Sequence, residues 1–265
     1  MELHILGSGT SHGVPVISCN CAVCCSKDPH DTRYRSSALI CGDAGERILI
    51  DCGPEFRLQA VRERLSSLDA LLLTHAHADH LHGLDDVRPL TRHSDLPIFG
   101  NKSTIAELKE RFAYLFMTTQ RGGGKAKIQP QVLLEPVMIG SLRISPIPVL
   151  HGTLPIYGWL IEDGTKRLAY LTDLSELKAE SERVLQGIDV LVVGALRTRP
   201  HPTHLCFDQA FTLSLTLDAK KTYLTHLCHD HLHTEIGVFC DEWSKSHPRA
   251  DSSIEPAWDG LVVRV

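Results

Sequence analysis

The chain has 265 residues, with 27 Lys or Arg against 32 Asp or Glu and a formal net charge of -5, an acidic balance that argues against a general nucleic-acid surface, where Lys and Arg must neutralise phosphates. Its 43% hydrophobic and 22% charged residues are ordinary for a globular protein long enough to bury a sizeable core. No basic segment followed by an apolar run opens the chain and no stretch approaches the ~18 apolar residues of a membrane span, so a cytoplasmic protein without membrane partners is expected, in which nine cysteines read as thiols or metal ligands rather than disulfides.

Glu2–Gly7 reads as a short strand ending at a glycine turn, followed by a polar, cysteine-rich loop from Ser8 to about Arg35. Ser36–Cys41 and Arg47–Asp51 read as strands joined by the turn Gly42-Asp43-Ala44-Gly45, and Pro54–Leu65 has helical spacing. Leu68–Thr74 is an apolar strand, from which His75–Gly83 leaves as a loop that enters a helix. Phe112–Pro130 is distinctive enough to reshape a pocket; its stretch Arg121-Gly122-Gly123-Gly124-Lys125 reads as a mobile surface loop. Leu142–Val149 and Tyr157–Glu162 alternate like strands, Arg167–Thr172 is another strand, and Glu176–Leu185 reads as an acidic helix. Val190–Val193 and Thr222–Leu224 are short buried strands on either side of a helix over Phe207–Leu217. Strands and helices mix throughout without a linker, which predicts one α/β domain over 1–265, with two packed sheets and outer helices.

Four ligand-type side chains fall within six positions in Thr74-His75-Ala76-His77-Ala78-Asp79-His80, directly after the apolar strand. A chain leaving a strand aims alternate residues the same way, so His75 and His77 can share one ion while Asp79 and His80 serve a second. Imidazole suits zinc, iron and manganese, and carboxylate biases a site toward harder ions. The bland alternative is a chance surface run of histidines; the apolar strand ahead of it and the embedded Asp speak against that. A second group is Cys19-Asn20-Cys21-Ala22-Val23-Cys24, three thiols on one loop that suit tetrahedral zinc and need a fourth ligand. Adjacent Cys25 is a poor fourth, because neighbouring residues seldom both reach one ion, and a histidine from elsewhere serves better. Free thiols and a redox centre are the alternatives.

The segment His75 to His80 resembles the His-x-His-x-Asp-His signature of the metallo-β-lactamase superfamily. The resemblance continues in chain order through Leu49-Ile50-Asp51-Cys52-Gly53, His151 after the strand ending at Leu150, Asp173 in Leu171-Thr172-Asp173, and His226 in Leu224-Thr225-His226. It implies an αβ/βα sandwich of two mixed sheets with two divalent ions, manganese or zinc, at one edge. His75, His77 and His151 would hold one ion, Asp79, His80 and His226 the other, with Asp173 between them. Asp51 would orient a ligand histidine or the strand end. Such an ion pair lowers the pKa of a shared water, making hydroxide available near neutral pH. It also supplies the local positive charge that a small phosphorylated substrate needs in an acidic protein.

Cys-x-Cys-x-x-Cys near the start, the closing Thr-His-x-x-His, and the opening Leu6-Gly7-Ser8-Gly9-Thr10 and Gly13-Val14-Pro15 resemble the PhnP type of cyclic phosphodiesterase. That resemblance implies a structural zinc on Cys19, Cys21, Cys24 and His229, in a loop at about 17–30, and hydrolysis of a ribose-type cyclic phosphate. His204, in Pro202-Thr203-His204-Leu205, would protonate the leaving oxygen, with His201 a nearby competitor. Asp79 joins His204 as a catalytic residue. The implied partner is a small phosphorylated sugar or nucleotide, and the implied assembly a homodimer. Arg197-x-Arg199-Pro200-His201 places cations nearby, either for one to contact a second phosphate or as solvated surface arginines. His12, beside the Gly7-to-Gly13 turn, is a candidate substrate contact. His4 is expected in the core, and His82, His93, His231, His233 and His247 as solvated or structural. The rival readings are a protein of the pyrroloquinoline-quinone-biosynthesis type, which shares a similar cysteine motif, and a non-catalytic metal-binding or redox-sensor protein. RNA-processing relatives fit less well without a basic arm.

Overall fold

The computed structural model describes residues 1–117 and 124–265, so Arg121–Gly123 of the glycine-rich stretch lie outside the described residues. The strands are β1 (Glu2–Gly7), β2 (Ser37–Cys41), β3 (Arg47–Ile50), β4 (Ala70–Leu72), β5 (Leu96–Gly100), β6 (Ile128–Val132), β7 (Val137–Ile139), β8 (Leu142–His151), β9 (Leu154–Glu162), β10 (Arg167–Leu171), β11 (Glu176–Leu177), β12 (Val190–Gly194), β13 (Lys221–Thr225), β14 (Ser253–Pro256) and β15 (Val262–Arg264). The α-helices are α1 (Phe56–Arg62), α2 (Ala78–Leu81), α3 (Lys102–Arg111), α4 (Ala113–Phe116), α5 (Ala179–Leu185), α6 (Phe207–Thr216) and α7 (His233–Ser246). One sheet runs β15-β1-β2-β3-β4-β5-β6, and the other β11-β8-β9-β10-β12-β13-β14 with β7 paired to β8.

Strand chemistry explains the layers. In β3 and β12, β-branched and leucine side chains are buried on both faces, as expected of strands covered on both sides. Ile48 and Ile50 of β3 meet Val190 and Val192 of β12 in the core between the sheets, with Trp159 and Tyr170. Leu49 faces the opposite way, into the layer with Phe56 of α1 and Leu108 of α3. Leu191 and Val193 face the layer with Phe207, Phe211 and Ile236 of α6 and α7. The result is the metallo-β-lactamase fold, helices on the outer face of each of two mixed sheets. Each fully buried aliphatic side chain in these layers contributes about 1.5–3 kcal/mol. No helix among the described residues is long and apolar enough to cross a membrane.

In each sheet an antiparallel run gives way to parallel strands: β3, β4, β5 and β6 in the first, and β10, β12, β13 and β14 in the second. Parallel strands end at the same edge, and ligands of open α/β sheets gather at those carboxyl ends. Several expected elements shift. The apolar run Leu68–Thr74 is a strand only at Ala70–Leu72, because its last residues already turn into the site loop. The start of the expected acidic helix, Glu176–Leu177, pairs with Val149 and Leu150 of β8, so the ladder wins there and the helix begins at Ala179. β5, β6, β7, β14, β15, α3, α4 and α7 are further elements; the Asn101 side chain caps α3 by accepting from the Thr104 amide at 2.8 Å.

Candidate metal centres and active site

The strand ends set the site. Asp51, Asp173 and His226, immediately past β3, two residues past β10 and immediately past β13, all adopt left-handed backbone conformations (φ 59°, 55° and 58°). Such geometry is uncommon outside glycine, most tolerable for Asp and Asn, and clusters where side chains must be aimed. Asp51 is completely buried. Its Oδ1 accepts from the Thr74 amide at 2.8 Å, and its Oδ2 accepts from the Thr74 hydroxyl at 2.8 Å and lies 2.7 Å from His80 Nδ1. Cys52 N–H donates to His80 O at 2.7 Å and Gly83 N–H to Cys52 O at 2.9 Å, folding α2 back onto the strand end. A Cβ on Gly53 would stand 2.1 Å from Asp79 O, so only glycine allows this approach.

These bonds settle which ring nitrogens face inward, on the assignment that each Nδ1 donates. His80 Nδ1 donates to Asp51, His75 Nδ1 to the Thr74 hydroxyl at 3.0 Å, and His151 Nδ1 to Thr203 O at 2.9 Å. Each Nε2 is left with its lone pair. His75 Nε2, His80 Nε2 and both nitrogens of His226 are buried without a hydrogen-bond partner, a costly state unless an ion completes it. The ligand atoms of His75, His77, His151 and Asp173 lie within 4.8 Å of one another, as do those of Asp79, His80, Asp173 and His226. Asp173 belongs to both groups, with Oδ1 3.0 Å from His226 Nε2 and Oδ2 3.3 Å from His80 Nε2 and 3.6 Å from His75 Nε2. Burial opposes charge here, yet Asp79 and then Asp173 drive His80 well above its ordinary value, and His226 rises to about 9 against burial through Asp173. The carboxylates thus demand positive charge in this space. Orphaned imidazole nitrogens, shared carboxylate and charge demand all fit a pair of divalent cations.

The cysteine loop converges as well. His229 Nδ1 lies 3.3, 3.5 and 3.4 Å from the sulfurs of Cys19, Cys21 and Cys24. Zn–S near 2.3 Å and Zn–N near 2.0 Å give a tetrahedral S···N edge of about 3.5 Å, so the donor set fits one zinc. The Cys24 amide donating to the Cys21 sulfur at 3.4 Å draws that thiol down to about 6, toward the thiolate a metal needs. Cys25 is exposed and outside the group.

His204 stands over the histidine–aspartate cluster. Its ring centroid is 4.7 Å from that of His151 and 4.8 Å from that of His226, nearly parallel to the latter at 22°. Burial first, then the His226 charge, lowers it to about 3. His201 lies 5.0 Å from His204. Of the other histidines, His82 lies edge-on to Phe112, His231 against Phe207 and Phe239, His233 against His30 and Trp258, and His247 on Trp243, while His93 is exposed. His4 is half-buried and pairs with Glu63 at 3.0 Å instead of joining the core. His12 is exposed.

Three supports have no counterpart in the motif reading. Arg33, fully buried, donates to Cys228 O, to His231 O at 3.0 Å and to Asp31 Oδ1 at 3.1 Å, while that oxygen accepts from His233 N–H at 2.7 Å. This clasp grips the loop that carries His226 and His229. Arg111 of α3 donates to the Ala76 carbonyl between His75 and His77. Thr203 holds His151. No residue spacing announces such contacts, although a lone Asp-x-Arg in a polar loop is a weak hint of a buried pair.

Residues 46–227 match the Beta-lactamase superfamily domain, and the chain belongs to that superfamily. Fold and site together fit the metal-dependent hydrolases of that superfamily. Within the superfamily it belongs to the PhnP family: a crystal structure of a diphosphatase from that family superposes with a TM-score of 0.86 at 39% identity, covering 100% of this chain and 97% of that one. A protein of Porphyromonas gingivalis named octanoyltransferase is 39% identical over 234 residues, 86% of this chain. The match covers only 46% of that relative's length. Coenzyme PQQ synthesis protein B of Methylobacterium nodulans is 26% identical over 224 residues, 72% of each chain.

Proposed function

We propose that this chain hydrolyses a small cyclic phosphodiester of the ribose type by P–O cleavage. The observation that carries this reading is His204, stacked on His226, tilted against His151 and making no hydrogen bond among the described residues. It is a ring free to turn its proton toward a substrate held at the cluster. Divalent ions, manganese or zinc, held by His75, His77 and His151 and by Asp79, His80 and His226 with Asp173 between them, would supply neutralising charge and an acidified water. Cys19, Cys21, Cys24 and His229 would hold one zinc with no open position. Asp51, Thr74 and Thr203 keep three inner imidazoles in the tautomer that leaves Nε2 free. His204 stays neutral in its buried place until an anion lies beside it, and the phosphate's charge then favours its protonated form. The ring donates that proton to the departing sugar oxygen, a step worth ~10²–10⁴-fold for an alkoxide.

Membership of the PhnP family supports this reading, as does an acidic net charge that disfavours large nucleic acids. The likeness to a diphosphatase favours a second one, cleavage of a diphosphate linkage by the same groups. With less than half of the octanoyltransferase relative matched, acyl transfer is not carried over. A panel of ribose cyclic phosphates, cyclic nucleotides, linear diesters and diphosphates, assayed with manganese or zinc, separates the readings. His204→Ala should cost about 10²-fold or more on alkoxide substrates and spare p-nitrophenyl esters, whose leaving group needs little protonation. Equal losses on both remove His204 from the proton-donor role. Absence of turnover on every phosphoester, with every ion, returns the chain to the sensor reading.

A further inference from the structure

A second group of reactive side chains lies on the helix-covered face of the first sheet, at the end of β2 away from the metal ligands. β2 begins at Ser37, whose hydroxyl donates to the Asp51 carbonyl at 2.9 Å, and ends at Cys41, about 13 Å further along the strand. In the β1–β2 register Glu2 stands opposite Cys41 and His4 opposite Leu39, so Cys41 and His4 are diagonal neighbours on one face. In the β2–β3 register Arg47 stands opposite Cys41 on the other side. The thiol is free and half-buried.

The imidazole between these groups is firmly oriented. His4 Nδ1 lies 3.0 Å from Glu63 Oε2, at the C-terminal end of α1. His4 and then Arg62 hold the Glu63 carboxyl below its ordinary value, so it is ionised and can only accept. Nδ1 is therefore the donor to Glu63, and Nε2 is the nitrogen left to exchange a proton with the thiol. Nε2 is buried without a hydrogen-bond partner, and the Glu2 carboxylate stands 3.8 Å from it. Cys41 first, and then Glu63, favour the charged imidazole, which rises to about 10 against its burial. A nucleophile beside a base, with the base oriented by a third group, is the arrangement that activates a thiol, and cationic neighbours such as Arg47 favour the thiolate. None of these side chains belongs to either metal-ligand cluster.

We propose that Cys41, His4 and Glu63 form an oxidation centre, at which hydrogen peroxide converts the Cys41 thiol to a sulfenic acid. The thiol proton passes to His4 Nε2. The thiolate sulfur attacks one peroxide oxygen, an S–O bond forms and the O–O bond breaks. The departing hydroxide takes the proton from His4 and leaves as water. Sulfur loses the two electrons that the peroxide gains. A half-buried thiol suits an oxidant this small, and hydroxide is a poor leaving group that needs the proton His4 holds.

The test uses the zinc-loaded full chain, pulsed with hydrogen peroxide in the presence of dimedone, which traps sulfenic acid as a thioether. Peptide mass mapping then reads each cysteine separately. Cys25, exposed beside the cysteine group, is the internal reference. Cys41 should be labelled about tenfold or more faster than Cys25 although it is less exposed, a rate gain at the low end for a positioned proton donor. His4→Gln should slow labelling of Cys41 by about tenfold or more, and Glu63→Gln by a smaller factor, because it only orients the ring. Glu63→Asp should recover part of that loss, and labelling of Cys25 should stay unchanged throughout. A wild type in which Cys41 is labelled no faster than Cys25, or a His4→Gln variant that labels Cys41 at the wild-type rate, overturns the oxidation centre.

Discussion

The histidine–aspartate cluster draws its seven side chains from four strand ends in both sheets, and all but His77 are buried. The thiol cluster takes three of its four donors from the six residues Cys19–Cys24, and all four are half-buried. The first is held by the fold before any ion arrives, since Asp51, Thr74 and Thr203 fix its rings and the sandwich fixes its strand ends. The second sits on a loop with turns and little regular structure, steadied by amide-to-sulfur bonds and by the Arg33 clasp on His229's loop. Where the scaffold already places the donors, an ion adds chemistry. Where it does not, ion binding and folding become the same free energy.

The strongest challenge to this contrast is Asp173→Asn. Losing the carboxylate shared by both ligand groups should lower kcat/KM by about 10³-fold or more, several kcal/mol of transition-state charge stabilisation. Bound active-site metal should fall, while the melting temperature moves by less than about 4 °C, because the layers around it remain. A large loss of stability with activity retained per folded molecule would show that the fold depends on this cluster as well.

Asp51→Asn is gentler and probes preorganisation directly. Asn tolerates the left-handed backbone at this position, but its amide N–H₂ opposite His80 Nδ1 favours the tautomer with the proton on Nε2, the wrong one for a ligand. A loss of about 10–100-fold in metal affinity or activity is expected, read by metal titration beside kinetics. An unchanged affinity would mean that the ion, and not Asp51, orients His80.

Cys21→Ser should invert the pattern. One equivalent of tightly bound zinc should disappear in elemental analysis, and the melting temperature should fall by about 5–10 °C, corresponding to about 2–3 kcal/mol. Activity of the folded fraction should drop by about tenfold or less, through the short loop that joins His229 to His226. Retention of that zinc would remove the thiol cluster from the comparison altogether.

What could be read in advance follows from how information is stored along a chain. The apolar runs and their punctuation announced most strands and the helices α1, α2 and α6. The ligand candidates were legible because each sits at the end of such a run, and the cysteine group because three thiols share one turn. β5, β6, β7, β14 and β15 went unannounced because each is five residues or fewer, α4 because it is a single turn, and α3 and α7 because few of their residues are buried, which leaves a narrow apolar stripe. β11 was hidden because its residues follow a helical pattern that only pairing with β8 overrides.

By itself, then, the sequence determined the sandwich, the order of the ligand positions and the presence of a cysteine loop, since each is encoded in local periodicity and spacing. Only the tertiary structure decided which nitrogen of each histidine faces inward, that Thr203 sets the tautomer of His151, and that the Arg33–Asp31 pair grips the loop bearing His226 and His229. The farthest-reaching of those outcomes depend on hydrogen bonds between residues far apart in the chain, such as Thr203 with His151, 52 positions apart, and Asp31 with His233, 202 apart. A hydrogen bond is specified by distance and direction in space, so its partners carry no signature in the chain until folding brings them together.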